Sequence, residues 1–333
     1  MKIEDTIKLF DSFASKKILV IGDVMIDSYL WGKVERISPE APVPIVNCTK
    51  RESRLGGAAN VALNLAAMGA TPLLCGVIGN DDNGTLFLKL LQENHMSNIG
   101  TYIVKKRPTT VKTRVIGGNQ QLIRIDEETT KALENKTECG FLEHINKILV
   151  NETIDAVIFQ DYDKGALTPK IIKETIAHAR QQNVPTLVDP KRRNFLHFQG
   201  VSLFKPNFSE FCEGLKLELT KDNYSKIFEA ALDFQKSNEI GLMLITLSEQ
   251  GVFISTQEMF YHLPAHIRDI ADVSGAGDTV ISVASLCLAS SMKPIEIAAI
   301  SNLAGGLVCE KVGVVPIDKN QLFEELIKDP ENF

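Results

Sequence analysis

Residues 17–29 read KILVIGDVMIDSY, a short β-rich run with two acids, Asp23 and Asp27, immediately after it. An apolar run of this length that stops at a turn is read as a strand buried on both faces, the kind that builds parallel sheets. Further runs follow it: LLCGVIG (73–79), DAVIFQD (155–161), TLVDP (186–190), SLFKPN (202–207) and GLMLIT (241–246). Between them lie helical patterns at 57–69, 83–94 and 168–183, and two nearly continuous apolar ones near 277–291 and 294–311. The alternation predicts an α/β fold, a parallel sheet covered by helices on both faces, with the last two helices buried inside the domain.

Two stretches break that rhythm. Residues 30–54 contain Pro39, Pro42 and Pro44, which exclude helix, and 109–126, TTVKTRVIGGNQQLIRID, alternates like a hairpin around Gly117-Gly118-Asn119. Together they read as a small β lid, discontinuous in sequence, within one domain spanning residues 1–333. Edge strands of the main sheet would look the same in sequence. Internal repeats and low-complexity tracts are absent.

The chain has 333 residues, 44% apolar and 23% charged, the composition of an ordinary globular protein. A formal net charge of −6 argues against nucleic acid or an anionic membrane as the partner, because both require a basic surface. The six cysteines, Cys48, Cys75, Cys139, Cys212, Cys287 and Cys309, form no C-x-x-C pair and read as reduced, mostly buried thiols of a cytoplasmic protein. The N-terminal MKIEDTIKLFDSF carries acids where a signal peptide is basic, and no apolar stretch is long enough to span a bilayer.

Six short stretches sit at the expected strand ends or helix starts. In ADVSGAGDTV (271–280), Gly275 and Gly277 let a ligand approach the backbone, and the helix that begins there points free N–H groups and its positive dipole end at an anion. Asp278 in that turn is equally readable as a helix-starting acid, worth a few tenths to one kcal/mol. In GDVMIDSY (22–29), Asp27 is placed to accept hydrogen bonds from sugar hydroxyls, whereas Asp23 can equally cap local structure. RLGGAANVALN (54–64) sets Gly56-Gly57 before a helix with Asn60 in its first turn, a pattern that also solves plain packing problems. FKPNFSEF (204–211) offers Asn207 to a phosphate and Glu210 to a water on Mg²⁺, or else is an N-cap with Ser209 starting a short helix. ITLSEQGVF (245–253) and VDPKR (188–192) end strands on the same rim.

Other phosphate and hydrolase signatures are missing. There is no G-x-x-x-x-G-K-[ST], no G-x-G-x-x-G after the first strand and no G-x-S-x-G. His262 and His266 have zincin spacing, but Pro264 lies between them.

Taken together, the motifs resemble those of the ribokinase-like (PfkB) sugar kinases. That family has a G-G-x-x-x-N-x-A signature, here Gly56-Gly57-Ala58-Ala59-Asn60-Val61-Ala62, and a D-[TV]-[TS]-G-A-G-D signature, here Asp272 to Asp278. RISPEAPVPIV (36–46), NQQLIRID (119–126), DYDKGAL (161–167) and TLSEQG (246–251) are similar to the heptose 7-phosphate kinase branch, which serves ADP-heptose and lipopolysaccharide synthesis and is often fused to a nucleotidyltransferase. Ending at Phe333, the chain reads as the free-standing kinase.

The resemblance implies a three-layer α/β/α domain with a β lid, ATP with Mg²⁺, and a homodimer paired through the lid. It assigns Asp278 as general base and Gly275, Ala276 and Gly277 as the anion hole. Asp27, Gly56, Gly57 and Asn60 would hold the sugar, with Arg114, Arg124, Lys164 and Lys191 as candidates for its phosphate. Lys191, Asn207, Glu210, Thr246, Ser248, Gly251 and Asn302 would line the nucleotide side, and Asp272 with Ser274 a K⁺ site. Departures from the pattern are Ser274 for the commoner Thr, Arg192-Arg193-Asn194 after VDPK, and KVGVVPI (311–317) without its usual Thr-Ser. The expected reaction is phosphorylation of O1 of heptose 7-phosphate. A fructose 1-phosphate, ribose or nucleoside kinase of the same fold, and a non-catalytic sensor, are the alternatives.

Overall fold

The computed structural model describes residues 3–118, 120–266 and 268–328. Helix α1 (Ile3–Phe13) leads into β1 (Lys17–Gly22), and two long strands, β2 (Val24–Ile37) and β3 (Pro44–Gly57), follow. Next come α2 (Ala58–Ala67), β4 (Thr71–Gly79), α3 (Asp82–Glu93), β5 (Thr101–Val104), β6 (Val111–Gly117) and β7 (Gln120–Glu127). The middle of the chain is α4 (Asn135–Asn151), β8 (Ala156–Gln160), α5 (Pro169–Gln181), β9 (Thr186–Asp189), β10 (Leu203–Phe204), α6 (Phe208–Leu215) and α7 (Tyr224–Asn238). It ends with β11 (Leu242–Thr246), a 3₁₀ turn (Ser248–Gln250), β12 (Val252–Ser255), β13 (Phe260–Leu263), α8 (Ala276–Ala289), α9 (Pro294–Cys309) and α10 (Lys319–Lys328).

Nine strands form one sheet in the order β13-β12-β11-β10-β9-β8-β1-β4-β5. All neighbours from β5 to β11 are parallel, and β12 and β13 add an antiparallel edge. Both sides of β1 are buried: Ile18 and Val20 join a core built with α1, α2, α3, α8, α9 and α10, while Leu19 and Ile21 join one built with α4 to α7. This is the three-layer arrangement that continuous apolar strands require. Helices α8 and α9 are buried along most of their length, as their unbroken apolar pattern predicts. Among the described residues, no helix is long and apolar enough to cross a membrane.

The two stretches that broke the rhythm form a separate four-stranded sheet, β3-β2-β6-β7, rather than extra edges on the main one. It is antiparallel within β2–β3 and β6–β7 and parallel between β2 and β6. It begins earlier than residue 30, because the chain leaves β1 at Gly22, bends at Asp23 and enters β2 at Val24. Asp27 therefore stands on a strand of the small sheet, not on a loop after β1. The turn joining β6 to β7 includes Gly118 at φ 63; Asn119 lies outside the described residues, as does Phe333.

The cysteines depart from the sequence expectation. All six are free, but only Cys75 and Cys287 are buried, whereas Cys48 on β3 and Cys139 on α4 are exposed. β3 is exposed throughout residues 47–51 and α4 turns one face to solvent, which composition does not register.

Candidate active site

The ends of β8, β9, β10 and β11 and the start of α8 enclose a cleft of about 520 Å³. Asp278 stands at its base, in the first turn of α8. The helix starts at Gly275, whose φ of 83 is a conformation suited to glycine, and a Cβ there would come within 3.0 Å of Asn60 Nδ2. Asp278 is 5% exposed and accepts hydrogen bonds from Asn60 Nδ2 (2.7 Å), Tyr162 Oη (2.6 Å) and Gln160 Nε2 (3.0 Å). Burial pushes its carboxyl up to about 6, against the Asn60 and Tyr162 donors; Asp189 adds to the rise and Lys205 opposes it.

Lys205, 2% exposed, places Nζ 2.9 Å from Asp189 Oδ2 in a buried ion pair beneath the helix start. A Cβ on Gly277 would lie 3.5 Å from Lys205 Nζ and 3.6 Å from Asp189 Oδ2, which sets the distance between this pair and the backbone of the turn. The Ala276 amide donates to the Val273 carbonyl at 3.3 Å. The amides of Gly277 and Asp278 have no acceptor among the described residues, as expected in a first helical turn. An anion in this cleft meets the dipole of α8, two free amides and a buried ammonium.

On the adjoining wall, Asn207 caps α6 in a capping box: Asn207 Oδ1 accepts from the Glu210 amide (2.8 Å) and Glu210 from the Asn207 amide (2.9 Å). The cap is Asn207 and not Ser209, and the helix begins at Phe208. Glu210 also pairs with Lys191, whose ammonium lies 5.8 Å from the Tyr162 ring centroid. For Lys191, burial acts downward and the Asp189 and Glu210 carboxylates outweigh it, so its pKa is raised. Thr246, Ser248 and Gly251 line the same wall, and Asn302 donates to the Pro264 carbonyl at 2.9 Å, tying α9 to the segment over the cleft. Val252, Ala265, Ile270, Val280, Gly305 and Gly306 supply an apolar, side-chain-poor surface.

The small sheet bears on the other side. Arg114 pairs with buried Asp27 at 2.5 Å, and Gly56 leaves room for that carboxylate, because a Cβ there would fall 2.1 Å from Asp27 Oδ2. Gly57, at φ 60, joins β3 to α2 and so carries Asn60 into the site. Arg54 and Arg114 both stack on Tyr29, with guanidinium carbons 5.2 and 5.4 Å from the ring centroid. Arg124 lies opposite Arg114 across β6–β7 but is exposed and paired with Asp126. Lys164 pairs with Glu128 at 2.7 Å. Asp272 accepts the amides of Ser274 (2.9 Å) and Gly313 (3.0 Å); burial raises its pKa, and these donors outweigh it, holding the carboxyl below its usual value.

Asp23 has the capping role. Its buried carboxylate accepts the amides of Tyr162 (2.9 Å), Lys164 (3.0 Å) and Ala166 (3.0 Å), and burial raises its pKa despite them.

Sequence reading alone missed Gln160, Tyr162, Asp189, Lys205 and Lys112. The first four end a buried strand or follow one within two residues, the same positional signal that drew attention to Asp23 and Asp27. Lys112 alternates with Arg114 along β6 and makes no ion pair among the described residues. Burial and the neighbouring Lys164 ammonium lower its pKa.

A family model described as pfkB family carbohydrate kinase matches residues 15–320. Three proteins named bifunctional protein HldE are similar: that of Koribacter versatilis is 37% identical over 317 residues, covering 95% of this chain and 64% of that protein. That of Sulfurimonas denitrificans is 39% identical over 317 residues (95% and 65%), and that of Helicobacter pylori 39% over 298 residues (90% and 64%). The chain thus spans a little less than two thirds of the length of these relatives. In fold it matches phosphofructokinase-2 from Escherichia coli in complex with potassium, with TM-score 0.76, 19% identity, and 94% and 99% of the two chains covered. Arabidopsis thaliana ribokinase complexed with ribose and ATP gives TM-score 0.69 at 15% identity, covering 93% and 99%.

Proposed function

The chain belongs to the pfkB family of carbohydrate kinases, and from that premise we propose that it transfers the γ-phosphoryl group of ATP to O1 of a heptose 7-phosphate, as a cytoplasmic step of ADP-heptose synthesis. The observation that carries the transfer is Asp278: a buried carboxylate with its pKa near 6, in the turn where α8 presents free amides to an anion. The similarity to bifunctional proteins HldE along nearly the whole chain supports the heptose substrate.

Asp278 takes the proton of the attacking hydroxyl as the bond from sugar oxygen to phosphorus forms and the bond to the ADP oxygen breaks, the electron pair leaving with ADP. Lys205 and the amides of Gly277 and Asp278 stabilise the charge of the moving group, and Gly275 allows the turn that aims them. Asn60 fixes Asp278 and, with Asp27, Gly56 and Gly57, shapes the sugar side. The donor set also suits ATP and Mg²⁺: Lys191 and Asn207 face the triphosphate, Glu210 can hold a hydrated cation, and Thr246, Ser248, Gly251 and Asn302 border the base. Mg²⁺, when bound, would neutralise charge on the phosphates. Asp272, held ionised beside Ser274, suits a monovalent cation.

For the sugar's own phosphate, the inward face of the small sheet supplies Arg54, Lys112, Arg114 and Arg124, with Lys164 opposite. Lys112 carries the strongest case, since an anion would relieve its repulsion from Lys164. Changing Lys112 to Met is expected to raise KM for the phosphorylated sugar about tenfold or more, with KM for ATP unchanged. A coupled ADP-release assay across sugars tests the main reading. Heptose 7-phosphate should exceed fructose phosphates, ribose and nucleosides by at least about 100-fold in kcat/KM; the reverse order would assign the chain to another kinase of this fold. Because Asp278 must be ionised to act, kcat/KM should fall about tenfold per pH unit below about pH 6.

The outward face of the same sheet is apolar: Ile123 and Ile125 are 55% and 48% exposed and lie on the side of β7 opposite Arg124. We place the homodimer contact there, with the sheet acting as a lid over the sugar. Ile123→Asp together with Ile125→Asp should shift the sedimentation mass from dimer to monomer.

A further inference from the structure

The donors on Asp278 are unequally shared. Oδ1 receives two, Tyr162 Oη at 2.6 Å and Gln160 Nε2 at 3.0 Å, whereas Oδ2 receives one, Asn60 Nδ2 at 2.7 Å. Each carboxylate oxygen has two lone-pair positions, so Oδ1 is filled and Oδ2 keeps one open. Beside it, Asn60 Oδ1 is a buried acceptor with no partner among the described residues. The side of the carboxylate toward α2 is therefore the one with acceptor capacity to spare.

We propose that Tyr162 is a positioning residue for the phosphoryl transfer: with Gln160 it fills Oδ1 of Asp278 and locks the carboxylate plane, so that Oδ2 takes the proton of the attacking hydroxyl. The inference rests on Asp278 being the base, and adds which oxygen acts and what aims it. The proton moves from the sugar hydroxyl to Oδ2, and the phenol keeps its own. Burial and the adjoining Asp278 carboxylate hold the Tyr162 phenol far above its ordinary value, so it remains a donor across the working pH range.

Tyr162 is itself placed by a rigid mount. Its amide, with those of Lys164 and Ala166, wraps the buried carboxylate of Asp23, through a turn with Asp163 at φ 56 and Gly165 at φ 85. The hydroxyl is thus aimed from β1 and β8, independently of what fills the cleft. The other charged groups facing Asp278 are Asp189 at the end of β9, Lys191 after it, and Lys205 after β10; α2 contributes no titratable side chain.

Tyr162→Phe removes only the hydroxyl. In ligand-free protein carrying ¹³C-carboxyl aspartate, the Asp278 signal is identified by its loss in Asp278→Asn and titrated in both backgrounds. The Asp278 midpoint, about 6 in the unaltered protein, is expected to rise by roughly one unit in Tyr162→Phe, because the ionised form loses a donor. The acid limb of kcat/KM, measured with whichever sugar the assay identifies, should move with it, while KM for ATP stays within about twofold. An unmoved midpoint overturns the proposal, and so does an equal loss of rate at every pH, which a purely structural role would produce. Uniform replacement of tyrosine by 3-fluorotyrosine, a stronger donor, leaves the fold intact and should lower the midpoint; no change there also overturns it. The titration needs no substrate, so a failure of the heptose reading appears only in the sugar assay and leaves this result standing.

Discussion

Replacing Asp278 by Asn is expected to lower turnover by about 10²–10⁴-fold while the dissociation constant for ATP changes less than about threefold. The asymmetry follows from where the carboxylate acts. In the proposed role its proton transfer belongs to the transition state, whereas the free amides of α8 and Lys205 remain in place. Isothermal titration with ATP beside single-turnover measurements separates the two effects, and near-normal turnover in Asp278→Asn would remove Asp278 as the base. The same substitution has a signature in stability. The folded protein holds the Asp278 proton up to about pH 6, against an ordinary value of 3.8, so it binds this proton more tightly than the unfolded chain does. Stability from this group is complete below about pH 4 and is lost as pH rises through 6, by roughly 3 kcal/mol. Urea unfolding at pH 5 and pH 8 should therefore show a smaller loss in Asp278→Asn than in the unaltered protein.

Lys205→Met should be costly in a different way. It leaves Asp189, 5% exposed, without its partner in a site that already contains a second buried carboxylate. Breaking a buried pair from one side costs about 3–5 kcal/mol, because the remaining charge stays desolvated. Turnover should fall as well, by about 10²-fold or more, since the ammonium faces the turn proposed to hold the phosphoryl group. The acid limb of the rate profile should also move upward, because Lys205 opposes the rise in the Asp278 pKa and Asp189 promotes it. Adding Asp189→Asn to Lys205→Met removes the orphan charge, and most of the stability should return in thermal unfolding while turnover stays low. If the double variant regained turnover, Lys205 would be a structural partner of Asp189 and nothing more.

The contrast between these residues marks how far the sequence could be read. Asp278 is legible because two glycines, an acid and an apolar helix lie within ten residues, and the chemistry of a helix N-terminus is local. Asn207 and Glu210 are legible for the same reason, although the structure shows that a capping box engages both side chains. Asp189 ends β9 and Lys205 follows β10, and nothing within either stretch reveals the 2.9 Å contact. The stretch DYDKGAL contains Tyr162, but its hydroxyl reaches Asp278 only because the end of β8 and the start of α8 meet across more than one hundred residues of chain. Helices α4, α7 and α10 were not anticipated either, since each buries a narrow apolar stripe among charged residues and their patterns are weak.

The sequence by itself determined the layered α/β class, the buried parallel strands and the helix start that holds Asp278, because each depends on periodicity or on backbone preferences within one segment. Tertiary structure alone decided that β2, β3, β6 and β7 leave the main sheet and form their own. Strand propensity is the same in either sheet, and the choice rests on register, on the bend at Asp23 and on contacts internal to the small sheet, such as Asp27–Arg114 between β2 and β6. It also decided which buried groups face Asp278, and hence the pKa near 6 that suits the carboxylate to its proposed role. Desolvation and the placement of distant charges are properties of the assembled interior, and no stretch of sequence contains them.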